Sequence, residues 1–295
     1  MEALCGVRNR VGESPLWSVA EQALYWVDID ARRIHRFDWA SRAEQSWPTP
    51  ERVACIALHA DGGLLAAMET ALFHVRPATD GHMAIERLHA ASFPREGMRF
   101  NDGRCDRAGR FWVTSMVREM SLAAADGALF RCDARGLSAP LVTGLVTGNG
   151  LGFSTDGGTM FLSDSHPSVQ RVWAFDVDAA GEPSKRREFI DMNAHPGRPD
   201  GAAVDAEGAY WICGNDAGLV HRFLPNGTLE RSIRVPVSKP SMCAFGGPAL
   251  DHLFITSITP ARPAEGCDAA LDGAVFVTRP GVCGIAETPF NPRTP

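Results

Sequence analysis

Short apolar runs along this chain alternate with turns rich in Asp and Gly, and the alternation recurs in a fixed form. Six stretches share one plan, an apolar lead-in, a polar turn and a run of aromatic and β-branched residues: SPLWSVAEQALYWVDI from Ser14, CIALHADGGLLAAM from Cys55, DGRCDRAGRFWVTSM from Asp102, GLGFSTDGGTMFLSD from Gly150, DGAAVDAEGAYWICG from Asp200 and CAFGGPALDHLFITS from Cys243. Runs such as Leu24-Tyr25-Trp26-Val27, Phe111-Trp112-Val113 and Tyr210-Trp211-Ile212-Cys213 are continuous rather than alternating, which predicts strands covered on both faces. The turns Ala60-Asp61-Gly62-Gly63, Asp106-Arg107-Ala108-Gly109, Thr155-Asp156-Gly157-Gly158 and Asp205-Ala206-Glu207-Gly208 supply Asp to cap the turn and Gly for positive φ, as tight hairpins require. A further strand then carries an aromatic and a polar end, as in Ile34-His35-Arg36-Phe37-Asp38 or Val172-Trp173-Ala174-Phe175-Asp176. No stretch sustains a 3.6-residue period, so little helix is expected.

The copies recur at roughly 40 to 50 residues, the length of one four-stranded propeller blade. A blade cannot bury its own faces, so the copies must stack around a central channel, where residues distant in sequence meet. The pattern predicts an all-β fold, a six-bladed β-propeller of four-stranded antiparallel blades, with inner strands beginning near positions 14, 55, 103, 150, 201 and 243. A repeat running end to end predicts a single domain over residues 1–295. Residues near Leu4 to Arg10 are expected to close the ring by completing the last blade, and the Pro-rich tail from Pro289 to Pro295 to be frayed.

Composition narrows the function. With 45% hydrophobic residues, seven Trp and fifteen Phe there is ample core material. The net charge of -6, with no run of five like charges, argues against a nucleic-acid or anionic-membrane surface. No stretch of about 18 apolar residues occurs, and the opening MEALCGVRNRV lacks a signal-peptide core, so a cytoplasmic enzyme or binder is the default expectation. Oligomeric state is left open. The eight cysteines form no C-x-x-C pair and read as reduced, buried thiols. H-E-x-x-H, G-x-S-x-G, Walker A and a helix-opening G-x-G-x-x-G are all absent, which removes the usual support for metalloprotease, α/β-hydrolase and nucleotide enzymes.

What remains are polar residues in a shared register. Glu13, Asn149 and Asp200 each stand just ahead of an innermost strand, in Gly12-Glu13-Ser14-Pro15, Thr147-Gly148-Asn149-Gly150 and Arg198-Pro199-Asp200-Gly201. In a closed ring these positions face one another at one end of the channel. Two carboxylates and an amide oxygen there suit a hard or borderline divalent ion, Ca²⁺, Mn²⁺, Mg²⁺ or Zn²⁺. Taken singly, Asn-Gly and Asp-Gly are also ordinary turn dipeptides. A second group, Arg99 and Asn101 in Arg99-Phe100-Asn101-Asp102-Gly103, offers fixed donors and a mixed donor and acceptor suited to sugar hydroxyls, with Glu119 one hairpin later. The bland reading is a surface Arg and a turn.

GESPLW at Gly12, RFNDGRCDRAGRFWVTSM at Arg99, NGLGFSTDG at Asn149, RPDGAAVDAEGAYW at Arg198 and KPSMCAFGG at Lys239 closely resemble the senescence-marker-protein, gluconolactonase and luciferin-regenerating family, which includes regucalcin. The resemblance spans nearly the whole chain. It implies one divalent metal near the centre, held by Glu13, Asn149 and Asp200, a substrate pocket lined by Arg99, Asn101 and Glu119, and hydrolysis of aldonolactones such as glucono-, xylono- or arabinonolactone. Two departures stand out. Gly148 occupies the place where many relatives carry Ser or Thr, and the small, apolar Met120–Gly127 segment is expected to act as a lid. His166 in Asp164-Ser165-His166-Pro167 is a further candidate for the channel, though a loop His is more often solvated.

The chemistry expected of this constellation is polarisation of a lactone carbonyl by the cation and attack by a water that Asp200 deprotonates as general base. A nearby cation would lower the basicity of Asp200 and burial would raise it. Three alternatives stay open: a calcium-binding propeller without catalytic duty, a protein-interaction propeller, and an organophosphate or phosphotriester hydrolase.

Overall fold

A computed structural model describes residues Met1–Pro295. It is an all-strand ring of six antiparallel sheets. The inner strands are Gly12–Ser18, Val53–Leu58, Met98–Cys105, Gly148–Phe153, Arg198–Val204 and Pro240–Gly246. Each packs against the inner strand of the next blade, and the sixth returns to the first. Five sheets have four strands; the third counts five because Gly136–Leu137 and Val142–Leu145 both pair with Gly127–Asp133. Helix is confined to three single turns of 3₁₀ type, Met120–Leu122, Met192–Ala194 and Ala269–Leu271. None is long and apolar enough to cross a membrane.

The continuous apolar runs are explained by where alternate residues go. Six hydrophobic clusters fill the six interfaces between neighbouring blades. In Tyr210–Asn215, Tyr210 and Ile212 pack toward the fourth blade while Trp211 and Cys213 pack toward the sixth. In Ala23–Asp28, Ala23, Tyr25 and Val27 join the second blade and Leu24 and Trp26 the sixth. Each strand therefore feeds two cores, and a polar residue at either parity would be buried. Each such large apolar side chain contributes about 1.5–3 kcal/mol by leaving water.

The turn aspartates do more than cap. Asp205 accepts from the amides of Glu207 and Ala209 with one oxygen and from Trp211 Nε1 and Arg222 Nε, both at 2.8 Å, with the other. Asp106 repeats this with the amides of Ala108 and Arg110, Arg110 Nε at 2.6 Å and Trp112 Nε1 at 2.9 Å. The spacing D-x-x-G-x-x-W thus ties a hairpin turn to the indole of the strand that follows it.

Ring closure is N-terminal, but its strand is Glu2–Ala3, ahead of the expected Leu4 to Arg10, and it pairs with Phe276–Thr278 as the outermost strand of the sixth blade. The amides of Leu4 and Asn9 continue the contact to the carbonyls of Val275 and Gly273. The C-terminal tail is a correction: it is pinned, not frayed. Its backbone bonds Ala206 and Leu250, then Leu58 and Ala60, then Gly109 and Ala134, so it crosses the end of the ring remote from Glu13. Phe290 is 1% exposed in the core between the second and third blades, and Arg293 pairs with Asp61 at 2.9 Å. Behind it Glu287 meets Arg104 at 3.0 Å.

Candidate active site

All six inner strands slip register at the same level, between Glu13 and Leu16, Val53 and Cys55, Phe100 and Gly103, Asn149 and Gly152, Pro199 and Ala202, and Pro240 and Cys243. A bulge re-aims side chains at the point where it interrupts the ladder. It also explains why the strands begin two to five residues earlier than the repeat suggests. Glu13, Asn149 and Asp200 lie inside the strands, at the bulge, rather than ahead of them. Two bulges need left-handed backbone: Ser14, with φ 51°, and Gly150, with φ 62°. For a serine that conformation is costly, and it is held by the Ile56 amide donating to Ser14 Oγ at 2.9 Å. At Gly150 a Cβ would stand 2.6 Å from both Ser163 Oγ and Tyr210 Oη, so only glycine fits beside Asn149.

The structure brings Asn149 and Asp200 together. Asn149 Nδ2 donates to Asp200 Oδ1 at 2.8 Å and to Ser165 Oγ at 3.1 Å, and Asn215 Nδ2 donates to Asp200 Oδ2 at 2.6 Å. Glu13 accepts the Ser14 amide at 3.0 Å. Burial, then the charges of Asp200 and Asp102, push Glu13 well above the ordinary carboxylate range. Burial also raises Asp200, against the pull of Arg198 and the Asn215 bond, and raises Asp102. The side-chain donors to Asp200 are neutral amides, and the arginines that act on these carboxylates, Arg198, Arg104 and Arg99, only partly offset the cost of their burial.

That is a set a divalent ion fits. The donors are oxygens of Glu13, Asp200 and Asn149, and three buried polar atoms in the same sector, Asp102 Oδ1, Thr147 Oγ1 and Ser163 Oγ, have no hydrogen-bond partner. Ser163 lies directly across from Asn149 in the strand pair. No three His, Cys, Asp or Glu side chains are gathered closely enough to ligate on their own, so the neutral amide of Asn149 is needed.

Arg99 and Glu119 line a cavity of about 500 Å³ together with Arg52, Arg95, Arg118 and Leu122. Asn101 does not line it. Its Oδ1 accepts from Arg99 Nη1 at 2.8 Å and its Nδ2 donates to the Gly148 carbonyl at 2.9 Å, which links the guanidinium to the strand carrying Asn149. Arg99 also donates to its neighbour's carbonyl, Phe100 O, at 2.7 Å, leaving Nε and Nη2 free. Glu119 is exposed and caps the Met120–Leu122 turn, and its bonds to the Ser121 hydroxyl and amide hold its carboxyl below the usual range. The segment expected as a lid is therefore a capped turn with Leu122 54% exposed. It is tethered by Arg95 to Asp126 at 3.2 Å and by His166 Nε2 to the Met120 carbonyl at 3.3 Å. His166 meets this segment and not the cavity wall.

Sequence reasoning missed three features. Asp102 reads as part of a turn but is a buried strand residue at the bulge. Asn215 follows a strand run with no signal beyond its neighbour Asp216. Arg52 and Arg118 share one oxygen of Glu69, at 3.3 and 3.0 Å, and Arg52 also reaches Asp30 at 2.9 Å, a rim drawn from three blades that only the folded ring assembles.

Residues 11–259 match the SMP-30/Gluconolactonase/LRE-like region. The chain is 38% identical over 293 residues to 6-deoxy-6-sulfogluconolactonase of Pseudomonas putida, with 97% of each covered. It is 34% identical over 285 residues to a pentonolactonase of Haloferax volcanii, covering 96% of this chain and 94% of that one. Among solved structures, a calcium-binding protein, regucalcin, from Agrobacterium tumefaciens superposes with a TM-score of 0.87 at 26% identity, over 98% of this chain and 96% of the other. A match to the family over most of the chain, relatives this similar along their whole length and the shared six-bladed ring lead to one conclusion: this chain belongs to the SMP-30/gluconolactonase/LRE-like family.

Proposed function

We propose that this chain hydrolyses the lactone of a sugar acid at the mouth of its channel, with one divalent cation held by Glu13, Asn149 and Asp200. The observation that carries the reading is the coupling of two parts: the buried Asn149–Asp200 pair, and a cavity whose wall residue Arg99 is linked through Asn101 to the strand of Asn149. The relatives named as lactonases of sugar acids favour the same chemistry.

When bound, the cation supplies Lewis-acid polarisation of the ester carbonyl and stabilises developing oxyanion charge. The rest falls to the chain's own side chains. Asp200, kept basic by burial and oriented by Asn215, takes a proton from water, and the water oxygen bonds the carbonyl carbon. As the bond from that carbon to the ring oxygen breaks, the proton returns from Asp200 to the ring oxygen, which leaves as a hydroxyl of the open sugar acid. Arg99 offers Nε and Nη2 to substrate hydroxyls while Asn101 fixes its plane. Glu119 accepts from a hydroxyl at the outer wall.

The test is metal content and turnover of pentono- and hexonolactones, with a phosphotriester as comparison. The reading predicts one ion per chain and turnover of lactones only. An ion without turnover on any lactone would favour the second reading, cation binding without catalysis, for which the calcium-binding description of the Agrobacterium relative speaks.

A further inference from the structure

Asp102 is placed where the fold needs only half of it. The residue is 5% exposed, and Oδ2 accepts the Leu151 amide at 2.8 Å, stitching the third blade to the fourth just beyond Asn149. Its backbone amide bonds Thr114 Oγ1 at 3.1 Å, and that hydroxyl also reaches the Gly148 carbonyl at 2.8 Å. Oδ1 has no partner. Packing the blades therefore requires one acceptor, which an amide would supply without a buried charge. A second carboxylate oxygen left bare in the interior is costly unless something positive or hydrogen-bonding meets it.

The centre that could do so is adjacent. The charge of Asp102 bears on both Glu13 and Asp200 and raises each of them. The only cationic side chain acting appreciably on Asp102 is Arg104, two residues further along the strand, and its guanidinium is engaged by Glu287 and the Ala202 carbonyl. The three carboxylates are not close enough together to ligate one ion jointly, and with Glu13 and Asp200 taken as direct ligands Asp102 is left at one remove.

We propose that Asp102 is an outer member of the cation centre, its free Oδ1 accepting from a water of the ion's shell and its charge adding to the ion's affinity. This rests on the reading that Glu13, Asn149 and Asp200 hold a divalent ion. Asp102 is thus a positioning residue and touches no substrate. Outer partners of this kind typically account for about 10 to 100-fold of metal affinity.

The experiment is calorimetric titration of the full chain with Mn²⁺ and with Ca²⁺, for the wild type, Asp102→Asn and Asp102→Ala, alongside thermal melts with and without ion. Asp102→Asn keeps an acceptor for the Leu151 amide. It is expected to weaken ion binding about 10-fold or more, to leave the ion-free melting temperature unchanged or raise it, and to shrink the ion-induced rise in melting temperature. Asp102→Ala should weaken binding equally and also lower the ion-free melting temperature. Unchanged affinity in a folded Asp102→Asn, with only stability altered, would overturn this proposal and leave the three-residue centre standing. A wild type that binds neither ion would overturn both.

Discussion

Groups that lie close together in the centre have separate duties, and substitution of single residues should separate them. Asp200→Asn keeps the size of the side chain but removes the base and one of the two acceptors that Asn149 and Asn215 use. It is expected to lower kcat/KM by about 100-fold or more while leaving the chain folded, which circular dichroism and lactonase rates together would check. Arg99→Ala should lower kcat/KM by about 10-fold or more through the loss of a hydrogen bond worth roughly 1.5–3 kcal/mol in the transition state. Its metal content should stay at the wild-type value, and loss of metal would move Arg99 into the ion's own surroundings. Glu13, Asn149 and Asp200 were legible in the sequence because they recur at one position of a repeat. Asp102 was not, because Asn-Asp-Gly has the composition of a turn and only the bulge between Phe100 and Gly103 turns it into channel lining. Asn101 was legible as polar, but its two internal partners, Arg99 and Gly148, come from tertiary packing.

Among the elements, the six apolar runs announced themselves because every strand feeds two interfaces and so tolerates no polar parity. The C-terminal strap gave no such signal. Its hold consists of backbone hydrogen bonds to scattered turns, one aromatic and the Arg293–Asp61 and Glu287–Arg104 ion pairs, none of which has a period. Phe290→Ala should therefore destabilise the protein by about 3–5 kcal/mol, read as a lower urea midpoint with an unchanged slope. A surface-like response below about 0.5 kcal/mol would return the tail to a frayed end. The turn aspartates belong to the same scale. Asp205→Ala strips Trp211 Nε1 of its acceptor and leaves the buried Arg222 without its deepest partner. A loss of about 3 kcal/mol is expected, measured by the same denaturation.

For the molecule as a whole, pH acts through buried groups of opposite sign. His35 stacks on Trp26 with ring centroids 5.0 Å apart, its Nε2 is unpartnered, and burial lowers its pKa from 6.5 to about 4. Its folded pKa is below the unfolded one, so its contribution is complete above pH 6.5 and is lost as pH falls toward 4, on the order of 3 kcal/mol in all. Glu13, Asp102 and Asp200 are raised, so in the ion-free protein acid relieves the cost of burying their charge. The two effects oppose, and the His35 part is visible as a difference: His35→Phe should gain stability relative to the wild type between pH 6.5 and 4 and match it at neutral pH. The proposed function requires ion site and sugar pocket to form one catalytic centre. Its most direct test is the parallel measurement of bound divalent ion and lactone hydrolysis in the wild type, Glu13→Gln and Arg99→Ala. One ion per wild-type chain with lactone turnover is expected, with loss of both in Glu13→Gln and a retained ion with reduced turnover in Arg99→Ala. Full lactone turnover by a wild type stripped of divalent ions, or by Glu13→Gln, would contradict it.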